Sequence, residues 1–367
     1  MKLFDALRRH ERLLWCLHSL YALLAGIAVM WFGSRHFGFL RFVFVQIAFI
    51  WTSSQLLPII DYQTRFGPRL RWWIRTVLNY LNKDFYQQLL FFVLPIYWAS
   101  TTPDSLNVAF IVLLGVSAVL STFDIVYDRH LAVRPTLLAV FFAFNLFACL
   151  NVALPVLWSI GNGTAMWGSG LLALVGFVTL RFRPSQWRRP RVLAVVALSA
   201  AIIAATILWG RPLIPPAPLR LADVTFGRAI QRRPLAIPQP ISTLQANWSG
   251  RVYVLTSIWA PLGLKERVRQ SWYRNGHLIF TSRYLEVTGG RTDGYRLWTS
   301  DRVTTAPGDT LRVDVQTEGG QLIGRANLRT GPAGAPASPA VASGSASAPV
   351  SAGARRRGER GRPGLRR

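Results

Sequence analysis

Cysteine is almost missing from this sequence: only Cys16 and Cys149 occur, and both fall inside apolar runs. That excludes a disulfide framework and a cysteine-rich metal site as the basis of the fold. The five histidines, at His10, His18, His36, His130 and His277, show no H-E-x-x-H, H-x-H or other ligand spacing, so no metal is expected. No G-x-S-x-G elbow and no P-loop occurs, which leaves hydrolase and nucleotide chemistry without a motif and no cofactor implied. Charge is short as well. Charged residues are 16% of the chain, against about 25% in a soluble globular domain. Lysine is the rarest of them, with 3 against 39 arginines.

What fills the 367 residues instead is apolar, 51% of the chain, with 14 Trp and 21 Phe. About 20 apolar residues cross a hydrocarbon core of ~30 Å. Runs of that kind lie at residues 13–32, 42–60, 85–100, 106–125, 136–157, 165–180 and 192–209. They predict an α-helical membrane bundle of about seven transmembrane helices. The third run is short, contains Pro95, and can be started as early as Leu78, which moves the count by one. The first run follows MKLFDALRRHER and lacks a small-residue cleavage site, so it reads as an uncleaved span rather than a signal peptide.

The arginines test the span count independently. The formal charge of +26 divides into +11 for residues 1–210, +9 for 211–330 and +6 beyond. With a cytoplasmic N-terminus, the inner segments hold sixteen Lys and Arg, and the outer loops between spans hold two, Arg35 and Arg41. Cytoplasmic loops carry this excess, so the pattern places everything after Trp209 outside the cytoplasm. A basic chain can signal a nucleic-acid partner. Here the arginines sit in short loops between apolar runs, which points to the lipid bilayer and away from nucleic acid. Residues 69–83 carry apolar side chains at Leu70, Trp73, Ile74, Val77, Leu78 and Leu81. That is helical spacing, read either as a helix on the inner leaflet or as an extension of the third span.

Beyond the spans, residues 211–240 are rich in proline and read as an extended linker. Residues 241–330 hold six or so stretches of β-branched and aromatic residues. Asn275-Gly276, Gly289-Gly290 and Gly319-Gly320 punctuate them as hairpin-type turns. They predict a small C-terminal antiparallel β-sandwich domain. Residues 331–367 are a low-complexity, Arg-ended tail, expected to be disordered.

Three segments of the C-terminal region resemble the bacterial domain-of-unknown-function family 2914. They are the Trp272-x-x-Asn275-Gly276 turn, Gly289-Gly290-Arg291-x-x-Gly294-Tyr295-Arg296, and Gly308 followed by Arg312-Val313-Asp314-Val315. The layout of several helices before such a domain resembles a proteobacterial membrane family of unknown function, numbered 5924. The resemblance implies a bacterial inner membrane and a periplasmic β domain, and it brings no activity and no catalytic residue.

Polar side chains inside spans are candidates by default: Gln46, Asp124, Asn145 and Asn151. Asp124 is the one carboxylate placed within a run, and snorkelling to the inner interface accounts for it. The two asparagines suit hydrogen bonds between helices. In the outer domain, Trp272, Arg291, Tyr295, Arg296 and Trp298 cluster around turns. Rings stack on sugars and arginine forks match carboxylates or phosphates, but aromatics also fill the core of a small domain. In a strand Arg296 and Trp298 share one face, so the direction of Trp298 decides between the two. The favoured reading is a non-enzymatic membrane protein whose periplasmic domain binds an envelope protein or a cell-wall glycan. The rival is a transporter or flippase-like subunit, which calls for a polar cavity between Gln46, Asn145 and Asn151. Oligomeric state leaves no trace in the sequence.

Overall fold

A computed structural model describes residues 40–62, 67–123, 127–131 and 133–331, together with Leu24 and Ile27. Most of the first apolar run, Asp124 and the tail after Gly331 lie outside the described residues.

The N-terminal region is helical: α1 Leu40–Tyr62, α2 Pro68–Ala99, α3 Val108–Thr122, a π-helical turn Tyr127–Leu131, α4 Pro135–Trp158, α5 Asn162–Arg181 and α6 Pro190–Trp209. Pro68, Pro135 and Pro190 open α2, α4 and α6, where the missing N–H would have had no partner. Of the described helices, α4, α5 and α6 are long and apolar enough to cross a membrane. Helix α3 is apolar but has 15 residues, a length of about 22 Å. Helix α2 runs 32 residues without a break through Pro95. The amphipathic stretch at residues 69–83 is therefore the first half of α2, continuous with the third apolar run, and not a separate element.

Close approach holds the helices together. A Cβ added at Gly176 of α5 would lie 2.8 Å from Phe142 and 2.9 Å from Leu146 of α4, and one at Gly170 would lie 2.7 Å from Ile207 of α6. Small residues at such crossings let backbones approach where lipid supplies no hydrophobic drive. Tyr86, Leu90 and Tyr97 of α2 pack with Phe142, Leu146 and Cys149 of α4 in one buried cluster. Outward, Leu171, Leu198 and Ile202 are exposed.

The C-terminal region is β-rich. A four-stranded sheet runs in the order β10 (Tyr295–Thr304), β6 (Ser249–Trp259), β1 (Arg220–Gly227), β4 (Pro240–Ile241). The second sheet is β5 (Thr243–Leu244), β12 (Leu322–Thr330), β11 (Thr310–Thr317), β7 (Lys265–Arg274), β8 (His277–Thr281), with β9 (Leu285–Thr288) also on β7. A two-stranded ribbon, β2 (Gln231–Arg232) with β3 (Leu235–Ala236), pairs with neither sheet. Phe226, Val252, Val254 and Val303 of the first sheet share a buried cluster with Trp272, Leu311, Val313 and Leu328 of the second. Asn275 and Gly276 take φ of 51° and 85°, the paired positive values that a tight β7–β8 hairpin requires.

The linker expected at residues 211–240 is not one. Strand β1 lies inside the first sheet, paired with β6 from Arg220 to Gly227 and with β4 at Phe226 and Gly227. The prolines that suggested an extended linker flank this strand and leave LADVTF free to pair. Phe226 reaches the shared core. The β region thus begins near Arg220 rather than at residue 241.

Hydrogen bonds join the helical and β regions at several places, one of them Arg211, which donates through Nε to the Ile207 carbonyl of α6 and through Nη1 to the Gly319 carbonyl at 3.0 Å. The Asn162 backbone N–H, at the start of α5, donates to Glu266 Oε2 on β7 at 2.8 Å. Arg325 on β12 clasps Asp314 through Nε (2.8 Å) and Nη2 (3.0 Å), and its Nη1 donates to the Asp104 carbonyl in the α2–α3 loop at 2.6 Å.

Candidate binding surface

Strand β10 alternates cleanly. Leu297, Thr299 and Val303 are buried, while Arg296, Trp298, Ser300 and Arg302 lie on the other face. Trp298 therefore points away from the core and is half-buried. What covers it is aromatic and cationic. The Tyr253 ring of β6 lies 6.1 Å from it, and the Arg232 guanidinium of the β2–β3 ribbon sits 5.8 Å from its centroid. Arg296 Nη1 donates to the Leu235 carbonyl of the same ribbon at 3.2 Å. The ribbon leans over one end of this face and leaves the far end, with Arg251 and Arg302, exposed.

The other candidates lie elsewhere. Trp272 is fully buried in the shared core, so it belongs to no surface. Its Nε1 donates to Thr299 Oγ1 at 2.9 Å, Thr299 donates to Gln270 Oε1, and Gln270 Nε2 donates to Thr256 Oγ1 at 2.6 Å. This chain satisfies polar groups that burial would otherwise leave costly. Tyr295 packs with Leu297 against the second core cluster, and the Arg291 guanidinium lies 4.7 Å over its ring. The structure thus pairs Arg296 with Trp298 and separates both from Tyr295 and Arg291. Tyr253, Arg232, Arg251 and Arg302 were missed from the sequence. Alternation marked their faces, but only strand register sets them beside Trp298.

Among the helices, Gln46 Nε2 donates to Gln88 Oε1 at 2.7 Å, and Gln88 Nε2 to Asp84 Oδ2 at 2.7 Å. Asn151 Nδ2 donates to the Tyr97 hydroxyl at 3.2 Å, which donates to the Ala148 carbonyl at 3.0 Å. Asn145 Nδ2 bonds the Phe141 carbonyl of its own helix at 2.7 Å, and its Oδ1 is buried without a partner. Gln46 and Asn151 therefore tie helices together, and Asn145 does not.

Three carboxylates shape the β region electrostatically. Burial pushes the Glu266 carboxyl above its ordinary range, with repulsion from Glu318 adding to it, against the Asn162 N–H that favours the anion. Asp309 is held below its ordinary range, first by the Ala306 N–H and then by the Asn275 amide. Asp314 is buried and shared between Arg325 and, at 3.4 Å, Arg312. Arg312 also lies 4.3 Å over the Tyr273 ring. Among the described residues no group of His, Cys, Asp and Glu could hold a metal ion.

Residues 1–253 match the family described as "Family of unknown function (DUF5924)". The chain belongs to that family. Residues 265–329 match a second, described as "Protein of unknown function (DUF2914)". Comparison with curated proteins gives no match. The border between the two matched segments falls inside one folded region, since β6 pairs along its length with β10. Tyr253, Arg251 and Arg232 come from the first segment, and Arg296, Trp298 and Arg302 from the second.

Proposed function

We propose that this is a seven-span bacterial inner-membrane protein, N-terminus in the cytoplasm, whose periplasmic β-sandwich binds a cell-wall glycan. Tryptophan marks a membrane–water interface on the side of the β region. Trp98, Trp158 and Trp209 are exposed and stand at the C-terminal ends of α2, α4 and α6. These are the ends next to which Asp104 and Asn162 meet the β region. Tryptophan collects at membrane–water interfaces. The opposite ends carry Arg134, Arg181, Arg183, Arg188, Arg189 and Arg191, in keeping with a cytoplasmic side. The rival transporter reading draws less support, because Gln46 and Asn151 spend their hydrogen bonds between helices.

The observation that carries the binding role is the outward Trp298 on a sheet face, next to Tyr253 and with the Arg232 guanidinium over its ring. A glycan stacks on such rings and lends its hydroxyls and acidic groups to the guanidinium forks. An envelope protein is the other occupant, and the test separates them. Full-length protein in detergent should co-sediment with purified peptidoglycan sacculi. Trp298→Ala should weaken sedimentation while the protein still melts cooperatively. By contrast, Trp272→Ala should cost roughly 3–5 kcal/mol as a core deletion and broaden or abolish the melt. Undiminished sedimentation of Trp298→Ala would overturn the assignment, and capture of a single envelope protein with no binding to sacculi would replace the glycan with that protein.

A further inference from the structure

Arg251 and Arg302 are direct partners across β6 and β10, and both are exposed. Side chains so paired start about 4.5–5.5 Å apart at Cβ, and like charges placed there destabilise a sheet. Among the described residues neither makes an ion pair with a carboxylate. The nearest acid along the strand, Asp301, alternates to the opposite face and accepts from the Arg302 backbone N–H at 2.8 Å. On the other sheet an arginine is met by an acid, Asp314 opposite Arg325, whereas here each arginine is met by the other.

The pair is also continuous with the aromatic site. Along the same face the next cross-strand pair is Ser300 with Tyr253, and the next is Trp298 with Leu255. Each two-residue step along a strand is roughly 6.5 Å. Two guanidinium groups, a tyrosine and a tryptophan thus line up over roughly 13 Å, with Arg232 closing the far side of Trp298. A free anion would use the arginines and leave the rings idle, and a neutral sugar would use the rings and leave the arginines unneutralised. A sugar chain bearing a carboxylate or phosphate uses both.

We propose that Arg251 and Arg302 form an anion subsite beside the Tyr253–Trp298 platform, so that the ligand is an acidic saccharide; this rests on the glycan reading above. The subsite is assembled from both matched segments, Arg251 and Tyr253 from the first and Trp298 and Arg302 from the second.

The test uses full-length protein in phosphatidylcholine nanodiscs and calorimetric titration with three probes: oligogalacturonate, uncharged chitotetraose and inorganic pyrophosphate. Oligogalacturonate should bind at least about tenfold tighter than chitotetraose, since a charge-assisted bidentate contact is among the stronger ones available. The Arg251→Gln/Arg302→Gln double variant should erase that margin, while chitotetraose still binds through the Tyr253 and Trp298 rings. Equal affinity for the charged and neutral chains overturns the subsite and leaves the glycan reading standing. Pyrophosphate bound as tightly as oligogalacturonate overturns the saccharide, leaving a plain anion site. Absence of binding to either sugar removes both readings. A second variant guards against misfolding: Arg302→Glu creates a cross-strand ion pair with Arg251, so it should melt no lower than wild type while losing oligogalacturonate. Retained affinity in that variant also refutes the proposal.

Discussion

At the scale of single residues, Glu266 and Asp309 give this protein two pH responses of opposite sign. Glu266 is raised by burial, so the folded state keeps its proton to a higher pH than the unfolded chain does. Its stabilisation is complete below the unfolded value of about 4.3 and is lost as pH climbs through the folded one. Asp309 is lowered by its two hydrogen bonds. It contributes above the unfolded value of about 3.9, and that contribution is lost as pH falls through the folded one. Thermal melts of the full-length protein across pH should separate them. Glu266→Gln keeps an oxygen for the Asn162 N–H and should flatten the loss of stability on the alkaline side. Asp309→Asn should flatten the acid side. If Glu266→Gln and wild type trace the same pH profile, the buried carboxyl does not couple folding to protons.

At the scale of elements, β1 is the test of where the β region begins. Its pairing spans Arg220 to Gly227 against β6, with a register shift between Leu221 and Asp223. Removing it would strip β6 of one neighbour and take Phe226 out of the shared core. A fragment of residues 211–331 should give a β-type far-UV circular dichroism spectrum and a cooperative melt. One of residues 241–331 should lose the transition or melt far lower. Equal melting of the two fragments would show that β1 is an accessory strand. Strand character in this element was legible from the alternation of Val224 and Phe226 with polar neighbours. The surrounding prolines hid it, because proline density is a local signal and pairing with β6, some thirty residues on, is not. The continuity of α2 was hidden for a similar reason. Pro95 suggested a short span, yet the helix passes through it, and packing of Leu90, Val93 and Tyr97 in the helical cluster offsets the hydrogen bond that proline removes.

At the scale of the whole molecule, the proposed orientation draws on the loop arginines, and a reporter fused after Gly210 reads it out. Alkaline phosphatase at that point should be active, and a cytoplasmic fluorescent reporter at the same point dark. The reverse result would invert the protein and place the β region inside the cell. Apolar runs, loop arginines, turn glycines and the alternation of strands are properties of the chain's local order, and they were enough to specify apolar helices, three of them long enough to cross a membrane, followed by a β-rich region. They also set Arg296 and Trp298 on a common face, because a strand permits nothing else. Which face looked outward, and what lay beside it, was decided only by folding. Strand register brought Tyr253 and Arg251 of one segment against Trp298 and Arg302 of another, and the same packing sent Trp272 into the core. Pairing partners so far apart in the chain answer to the burial of a shared core, which no local pattern encodes.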